Sequence, residues 1–392
     1  MSAPENPTGR ARSILVACDK FKGSLTAAEA CEAVAAGLRE GFGANAPEIR
    51  LLPIADGGDG IAETLLAATG GEWTEAEVAG PLGDPVLAGY ALIDEGRTAV
   101  VEMAKASGLV LVEGMNDPVR ASTYGTGQLL RHAAAAGATE ILLGIGGSAT
   151  NDGGTGMAEA LGYRFEDADG HEITDLPAGL ERAVRLVPPG SAPCPRVIVA
   201  CDVTNPLLGP SGCTRVYGPQ KGIAEEDFAF HEARLARLVE LGGGTARIAA
   251  KRPGAGAAGG LGFGAIIFLG AELVPGFDLV AERTGLAAAV AGADLVITGE
   301  GRLDEQSLQG KGPCGVVRLA RAMGKGTAAF CGSLADRSLE REFGPIVEIG
   351  DPSATLAENM ARGRERLREA ARQFASGHSG KFPLPIRNPD SN

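Results

Sequence analysis

Apolar and polar positions along this chain recur as a unit: a short apolar run, a polar or glycine-rich loop at its end, then a stretch with helical periodicity. Ser13-Ile-Leu-Val-Ala-Cys-Asp19 reads as a buried strand, because a continuous apolar run of this length, bounded by polar residues, fits a strand covered on both faces. Thr26-x-x-Glu29 is a capping box and opens an alanine-rich helix reaching about Arg39. The second unit repeats the pattern with Leu51-Leu-Pro-Ile54, the loop Ala55-Asp-Gly-Gly-Asp-Gly60 and a helix through Leu66. Two such units begin a parallel sheet, since each helix carries the chain back to the same sheet edge.

After Gly70 the pattern changes. Pro85 to Ile93 and Thr98 to Met103 have strand character on either side of Asp94-Glu-Gly96, which predicts an antiparallel hairpin. Gly127 to Ala136 reads as helix, Glu140-Ile-Leu-Leu-Gly-Ile145 as a strand, and a further helix is expected from about Met157. Residues 166 to 196 are loop-rich, with prolines at 177, 188, 189, 193 and 195, and Arg196-Val-Ile-Val-Ala-Cys-Asp202 is another buried strand ending in an acid. The parallel pattern returns in Ala293 to Thr298, followed by Gly-Glu-Gly-Arg302, and in Gly326 to Cys331, followed by Gly-Ser333.

The expected fold class is therefore α/β with two domains. A flavodoxin- or Rossmann-like parallel-sheet domain takes residues 1–68 plus 262–392, and a second, mixed α/β domain is inserted at 69–261. Two consecutive domains are the alternative division. The tail from Gly377 onward, rich in proline and polar residues, reads as poorly ordered.

Composition narrows the classes. A chain of 392 residues exceeds one ordinary hydrophobic core. Its 59 glycines and 4% aromatic content fit many tight strand-to-helix turns better than an aromatic-rich sandwich. The formal charge of −13 argues against nonspecific binding to nucleic acid or anionic membrane. Neither a signal-like apolar core in Met1 to Ser13 nor an apolar stretch of membrane-spanning length occurs, so a cytoplasmic protein is expected. Seven cysteines without a Cys-x-x-Cys pair support neither a zinc site nor a disulfide framework.

Candidate chemistry concentrates at strand ends. Gly144 to Gly156 packs six glycines into thirteen residues after an apolar run, a layout that brings backbone N–H groups close to an anion. Gly144-x-Gly146-x-x-Ala149 and Gly254-x-Gly256-x-x-Gly259 both satisfy a dinucleotide pattern. The second lacks a preceding strand, and in the first Thr150 to Thr155 stands where a helix should start. Neither Gly310-Lys311 nor Gly324-Lys325 completes a Walker loop, and none of the four histidines, His132, His171, His231 and His378, sits at a glycine-rich strand end. What the predicted strand ends carry instead is Asp19, Lys20 and Lys22; Asp56 and Asp59; Glu300, Arg302 and Asp304; and Ser333. Ligands of open α/β sheets bind at that edge. Carboxylates, cations and backbone N–H groups are the set phosphoryl transfer uses, because such catalysis is mainly positioning and charge neutralisation. Asp202, at the end of an apolar strand and before Val-Thr-Asn-Pro206, is a candidate proton acceptor, and Gly218-Pro-Gln-Lys-Gly222 and Gly310-Lys-Gly-Pro313 hold lysines in restrained turns.

Together these motifs name a family. The chain resembles the bacterial glycerate kinases of the non-P-loop, glycerate 2-kinase-like type in Asp19 to Leu25, Ala55 to Gly60, Val101-Glu-Met-Ala-Lys-Ala-Ser-Gly108 and Gly144 to Gly156. The likeness continues through Ala200 to Leu207, Gly218 to Gly222, Pro253 to Gly260 and Thr298 to Arg302. Asp59 departs from the glutamate frequent in the family, and Lys20 from a common serine.

The resemblance implies ATP-dependent phosphorylation of D-glycerate with Mg2+, usually giving 2-phosphoglycerate, in a site between two α/β domains. On that reading Asp202 accepts the hydroxyl proton, with Asp304 in reserve, and Lys22 neutralises the transferring group. Asp56 and Glu300 hold magnesium or orient its waters. Asp19, Ser24, Gly146, Gly147, Ser148, Asn151, Asp152, Lys221 and Arg302 bind substrate or phosphate. Two other classes remain open at this point: a noncatalytic nucleotide or metabolite sensor, and a nicotinamide-dependent oxidoreductase built on Gly144-x-Gly146-x-x-Ala149.

Overall fold

A computed structural model describes residues 13–112, 114–191, 194–309 and 312–377, and the chain divides into two units, Gly57–Gly276 (unit 2) and the segments before and after it (unit 1). Gly310, Lys311, Pro193, His378, the first twelve residues and the tail after Gly377 lie outside the described residues. Unit 1 begins with β1 (Ser13–Cys18) and β2 (Glu48–Leu51). Unit 2 carries β3 (Glu72–Ala79), β4 (Pro85–Ile93), β5 (Thr98–Glu102), β6 (Glu140–Gly144), β7 (Arg164–Glu166), β8 (Arg185–Val187), β9 (Arg196–Ala200) and β10 (Glu272–Val274). Unit 1 then resumes with β11 (Leu295–Leu303), β12 (Gly326–Leu334) and β13 (Ile346–Glu348).

The unit 1 sheet has five strands, all parallel, in the order β13-β12-β11-β1-β2. Both faces of β1 are buried. Ile14, Val16 and Cys18 face one core with Val34, Phe330 and Leu367, while Leu15 and Ala17 face another with Ile54, Phe277 and Val316. That double burial is why the strand reads as an unbroken apolar run. The helix after it, α1 (Ala27–Phe42), starts at the capping box, with Glu29 N donating to Thr26 Oγ1 at 3.2 Å and Thr26 N to Glu29 Oε2 at 3.0 Å.

Two strand expectations shift. Of the run Leu51 to Ile54 only Leu51 belongs to β2, which starts earlier, at Glu48, although Leu52 N and Ile54 N still donate to Val16 O and Cys18 O at 2.9 and 3.0 Å. Pro53 lies between these two donors, just past the edge strand β2, where its missing N–H breaks no ladder bond. β11 and β12 run on through the polar segments that the apolar pattern left as loops. Gly299 permits this, because a Cβ there would sit 2.3 Å from Phe330 O on the neighbouring strand.

Unit 2 holds a six-stranded mixed sheet in the order β10-β9-β6-β5-β4-β3 and a two-stranded ribbon of β7 and β8. β4 and β5 form the expected antiparallel hairpin, and β5, β6, β9 and β10 run parallel. β3 had no clear sequence signal, since at the sheet edge Ala76 and Val78 alone of its eight residues are buried. The ends of the insertion also move from the expected 68 and 262. The helix α2 (Ile61–Thr69) packs on β4 and β5, and β10 pairs with β9, so both belong to the inserted unit. The helix expected from Met157 is a short one, Thr155–Ala160. Among the described residues, no helix is long and apolar enough to cross a membrane.

Candidate active site

The unit 1 site starts where β1 ends. Asp19 turns inward at 6% exposure; its N donates to Gly299 O at 2.8 Å, and Lys20 N donates to its Oδ1 at 2.6 Å. Burial, and then the charge of Asp56, push its carboxyl up to about 7. Glu300 projects from β11 next to β1, and burial also pushes it up to about 7. A hydrogen bond from Ser307 opposes that rise, while Asp19, Asp56 and Asp304 add to it. Glu300 Oε1 is buried without a hydrogen-bond partner.

Concentrated carboxylates with an orphaned oxygen are what a hard divalent cation offsets. The residues therefore fit magnesium. They do not form a tight claw: among the described residues, one group of three donors has all its ligand atoms within 4.8 Å, and it is Asp167, Asp169 and His171. That group is an exposed turn, in which Asp167 Oδ1 accepts from Asp169 N and His171 N at 3.0 and 2.9 Å. The wider set of Asp19, Asp56 and Glu300 suits an ion that keeps several of its waters.

The loop carrying Lys22 crosses the end of β11, since a Cβ on Gly301 would lie 3.2 Å from Lys22 N. Lys22 is exposed and lines a cavity of about 430 Å³ at the C-terminal ends of β11, β12 and β13. Ser24, expected at the phosphate, instead donates its hydroxyl to Met360 O at 2.6 Å and ties the loop to the helix Leu356–Ala361. The Arg302 guanidinium is largely exposed and pairs with Asp304 at 3.2 Å. Asp304 also accepts from Ser307 N at 3.3 Å, so its carboxylate orders the start of the next helix, Glu305–Gln309.

In unit 2 the glycine loop works mostly as a packing device. Asp152, 1% exposed, accepts from Thr123 N and Thr123 Oγ1 at 2.9 and 2.7 Å, and from Gly154 N and Gly156 N at 3.1 and 3.2 Å. Asn151 Nδ2 donates to Thr214 Oγ1 at 3.1 Å. Lys221 Nζ donates to Ser148 Oγ and Thr150 O at 2.7 and 2.6 Å, and burial pushes its pKa down to about 8. Ser148, Asn151, Asp152 and Lys221, expected at substrate or phosphate, thus form an internal brace. The sequence showed their polarity but not that these hydrogen bonds close inside unit 2, on Thr123, Thr150, Thr214 and the loop's own N–H groups.

Only the tip of the loop, Gly146 and Gly147, reaches the surface within Gly146 to Asp152. Gly147 has φ +72°, and a Cβ there would lie 2.8 Å from Asp59 Oδ1. The other glycine run packs behind: a Cβ on Gly259 would meet Thr150 O at 1.9 Å. Backbone-to-backbone packing therefore explains the match at Gly254 to Gly259. One residue of the site had no sequence role. Glu102, buried at the end of β5, accepts from Gly60 N at 3.0 Å and Ala62 N at 2.8 Å and so caps α2; burial, with Glu63 adding, pushes it up to about 7.

Asp202 lies just past β9 and is exposed. Its Oδ1 accepts from Gly276 N at 3.1 Å, and a Cβ on Gly57 would fall 2.9 Å from its Oδ2 and 2.3 Å from Gly276 Cα. The two ends of unit 2 therefore meet against this carboxylate.

These features define a two-domain α/β protein that carries buried acids and an exposed lysine at the strand ends of unit 1 and a glycine tip in unit 2. The chain belongs to the glycerate kinase family, whose profile matches residues 14–378. It is 42% identical over 381 residues to a glycerate kinase of Halalkalibacterium halodurans, covering 93% of this chain and 97% of that one. It is 40% identical over 377 residues to the glycerate 2-kinase of Escherichia coli K12, with the same two coverages. A crystal structure described as glycerate kinase 2 from Salmonella typhimurium LT2 superposes with a TM-score of 0.83 at 40% identity, covering 94% of this chain and 98% of that one.

Proposed function

We propose that this protein transfers the terminal phosphoryl group of ATP to D-glycerate with magnesium, and that the product is 2-phosphoglycerate. Glycerate as acceptor rests on family membership, and the 2-position on the likeness to the Escherichia coli glycerate 2-kinase. The observation that carries the chemistry is the acid group of Asp19, Asp56 and Glu300, with its orphaned Glu300 oxygen.

Bound magnesium would neutralise phosphate oxygens and hold them in line. Asp19, Asp56 and Glu300 would hold it or orient its waters. Lys22, exposed on a loop fixed through Ser24, offsets charge on the transferring group. Asp202 accepts the hydroxyl proton of glycerate, and the Gly146–Gly147 tip offers backbone N–H groups to its carboxylate. Arg302 adds exposed positive charge.

The decisive measurement is ADP release from ATP and magnesium with and without D-glycerate, with the product identified by NMR. Glycerate-dependent ADP and 2-phosphoglycerate are expected. ADP binding without turnover on any small hydroxy acid would point to a sensor, and 3-phosphoglycerate would overturn the position assigned.

A further inference from the structure

Unit 1 carries a cavity of about 430 Å³ that none of the roles above fills. Its volume lies within the roughly 300–1,000 Å³ typical of small-molecule sites. It opens at the C-terminal ends of parallel strands, the edge where open α/β sheets bind ligands. Phe21, Ile349, Leu356 and Met360 give it apolar walls. Leu356 is 71% exposed at its rim, an apolar side chain that the fold leaves uncovered.

Glycerate does not suit this space: a three-carbon acid would leave the apolar walls unfilled and set its carboxylate near Glu348. A flat heteroaromatic base with a neutral sugar suits it well. Glu348 Oε1 already accepts from Leu334 N at 3.1 Å, which fixes the carboxylate while its second oxygen can accept from sugar hydroxyls. Arg366 borders the cavity with a buried Nε that has no hydrogen-bond partner. Two further lining residues connect the cavity to the phosphate chemistry. Lys22 is one, and Gly301, directly after Glu300, is the other.

We infer that this cavity holds the nucleoside half of the nucleotide, with the base between Phe21, Ile349 and Leu356, the ribose at Glu348 and the phosphates leaving past Lys22. The inference rests on the proposal that the phosphoryl donor is ATP.

Isothermal titration of the full-length protein with magnesium-ADP, adenosine and inorganic tripolyphosphate tests it. Ala354→Trp fills the cavity and Leu356→Ala trims its exposed rim. A354W is expected to weaken ADP and adenosine at least tenfold and L356A severalfold, with tripolyphosphate unchanged and Tm retained. In kinetics, KM for ATP rises while KM for glycerate holds. Wild-type ADP affinity in folded A354W overturns the assignment; should A354W not fold, unchanged ADP and adenosine affinity in L356A does so. A wild-type protein that turns over glycerate while both variants keep normal ATP KM refutes the cavity and spares the kinase. Cavity-dependent ADP binding without turnover does the reverse.

Discussion

Lys221 holds its ammonium group at 1% exposure between Ser148 Oγ and the Thr150 carbonyl, and burial brings its pKa from an ordinary 10.5 to about 8. Between those values the unfolded chain binds more protons than the folded one, so this group makes stability rise as pH rises from about 8 to 10.5. Urea unfolding at both ends of that range is expected to show wild type gaining about 1–3 kcal/mol relative to Lys221→Met. Equal pH slopes in the two proteins would show that the lysine is not buried in solution. Asp202 accepts from Gly276 N and is also the proposed base, and that pairing decides which variant is informative. Asp202→Asn keeps an oxygen for Gly276 N and should lose turnover by at least about a thousandfold with Tm nearly unchanged, whereas Asp202→Ala gives up both. Near-normal activity in D202N would remove it as the base. At this scale the chain showed which residues are polar and strand-terminal. It did not show that Asp152 and Lys221 spend their hydrogen bonds internally, because those partners, Thr123 and Ser148, lie far off in sequence.

α1 and the helix Gly363–Gly377 pack closely enough that a Cβ on Gly37 would lie 2.0 Å from Arg368 O, and one on Gly41 2.4 Å from Arg372 O. Glycines four apart put two backbones in contact along one seam. Gly37→Leu is expected to cost about 3 kcal/mol or more, since the obstacle is backbone and not a movable side chain. Calorimetry should show Tm down by several degrees, and an unchanged Tm would mean the seam opens freely. The start of α1 was legible because Thr26 and Glu29 are local, and so was the β4/β5 hairpin. β3 was not, because an edge strand with two buried residues lacks a sustained period-two signal. The glycine run at Gly254 to Gly259, whose dinucleotide match already failed for want of a preceding strand, serves close packing against Thr150.

On the scale of the molecule, unit 2 is one uninterrupted segment whose ends, Gly57 and Gly276, touch each other beside Asp202. Such a segment closes on itself, so residues 57–276 expressed alone are expected to unfold cooperatively in urea. A molten fragment would show that unit 1 is needed to complete it. For unit 1 the proposed magnesium site gives the test. Asp19 and Glu300 sit at about 7, above their ordinary range, so the folded metal-free protein binds more protons than the unfolded chain between about pH 4 and 7, and their contribution falls as pH rises through that window. Millimolar magnesium should therefore raise Tm at pH 8, and Glu300→Gln should raise the metal-free Tm at pH 8 while shrinking the magnesium increment. An increment unaffected by E300Q would place the ion elsewhere. By itself the sequence determined the α/β class, the strands buried on both faces and the polar residues at their ends, because burial periodicity and capping are local. The family followed from motifs. Only the tertiary structure decided where the inserted unit begins and ends, which polar groups remain at the surface and which brace the interior. Those outcomes depend on contacts between distant segments, and a linear pattern does not encode the partner of a buried charge.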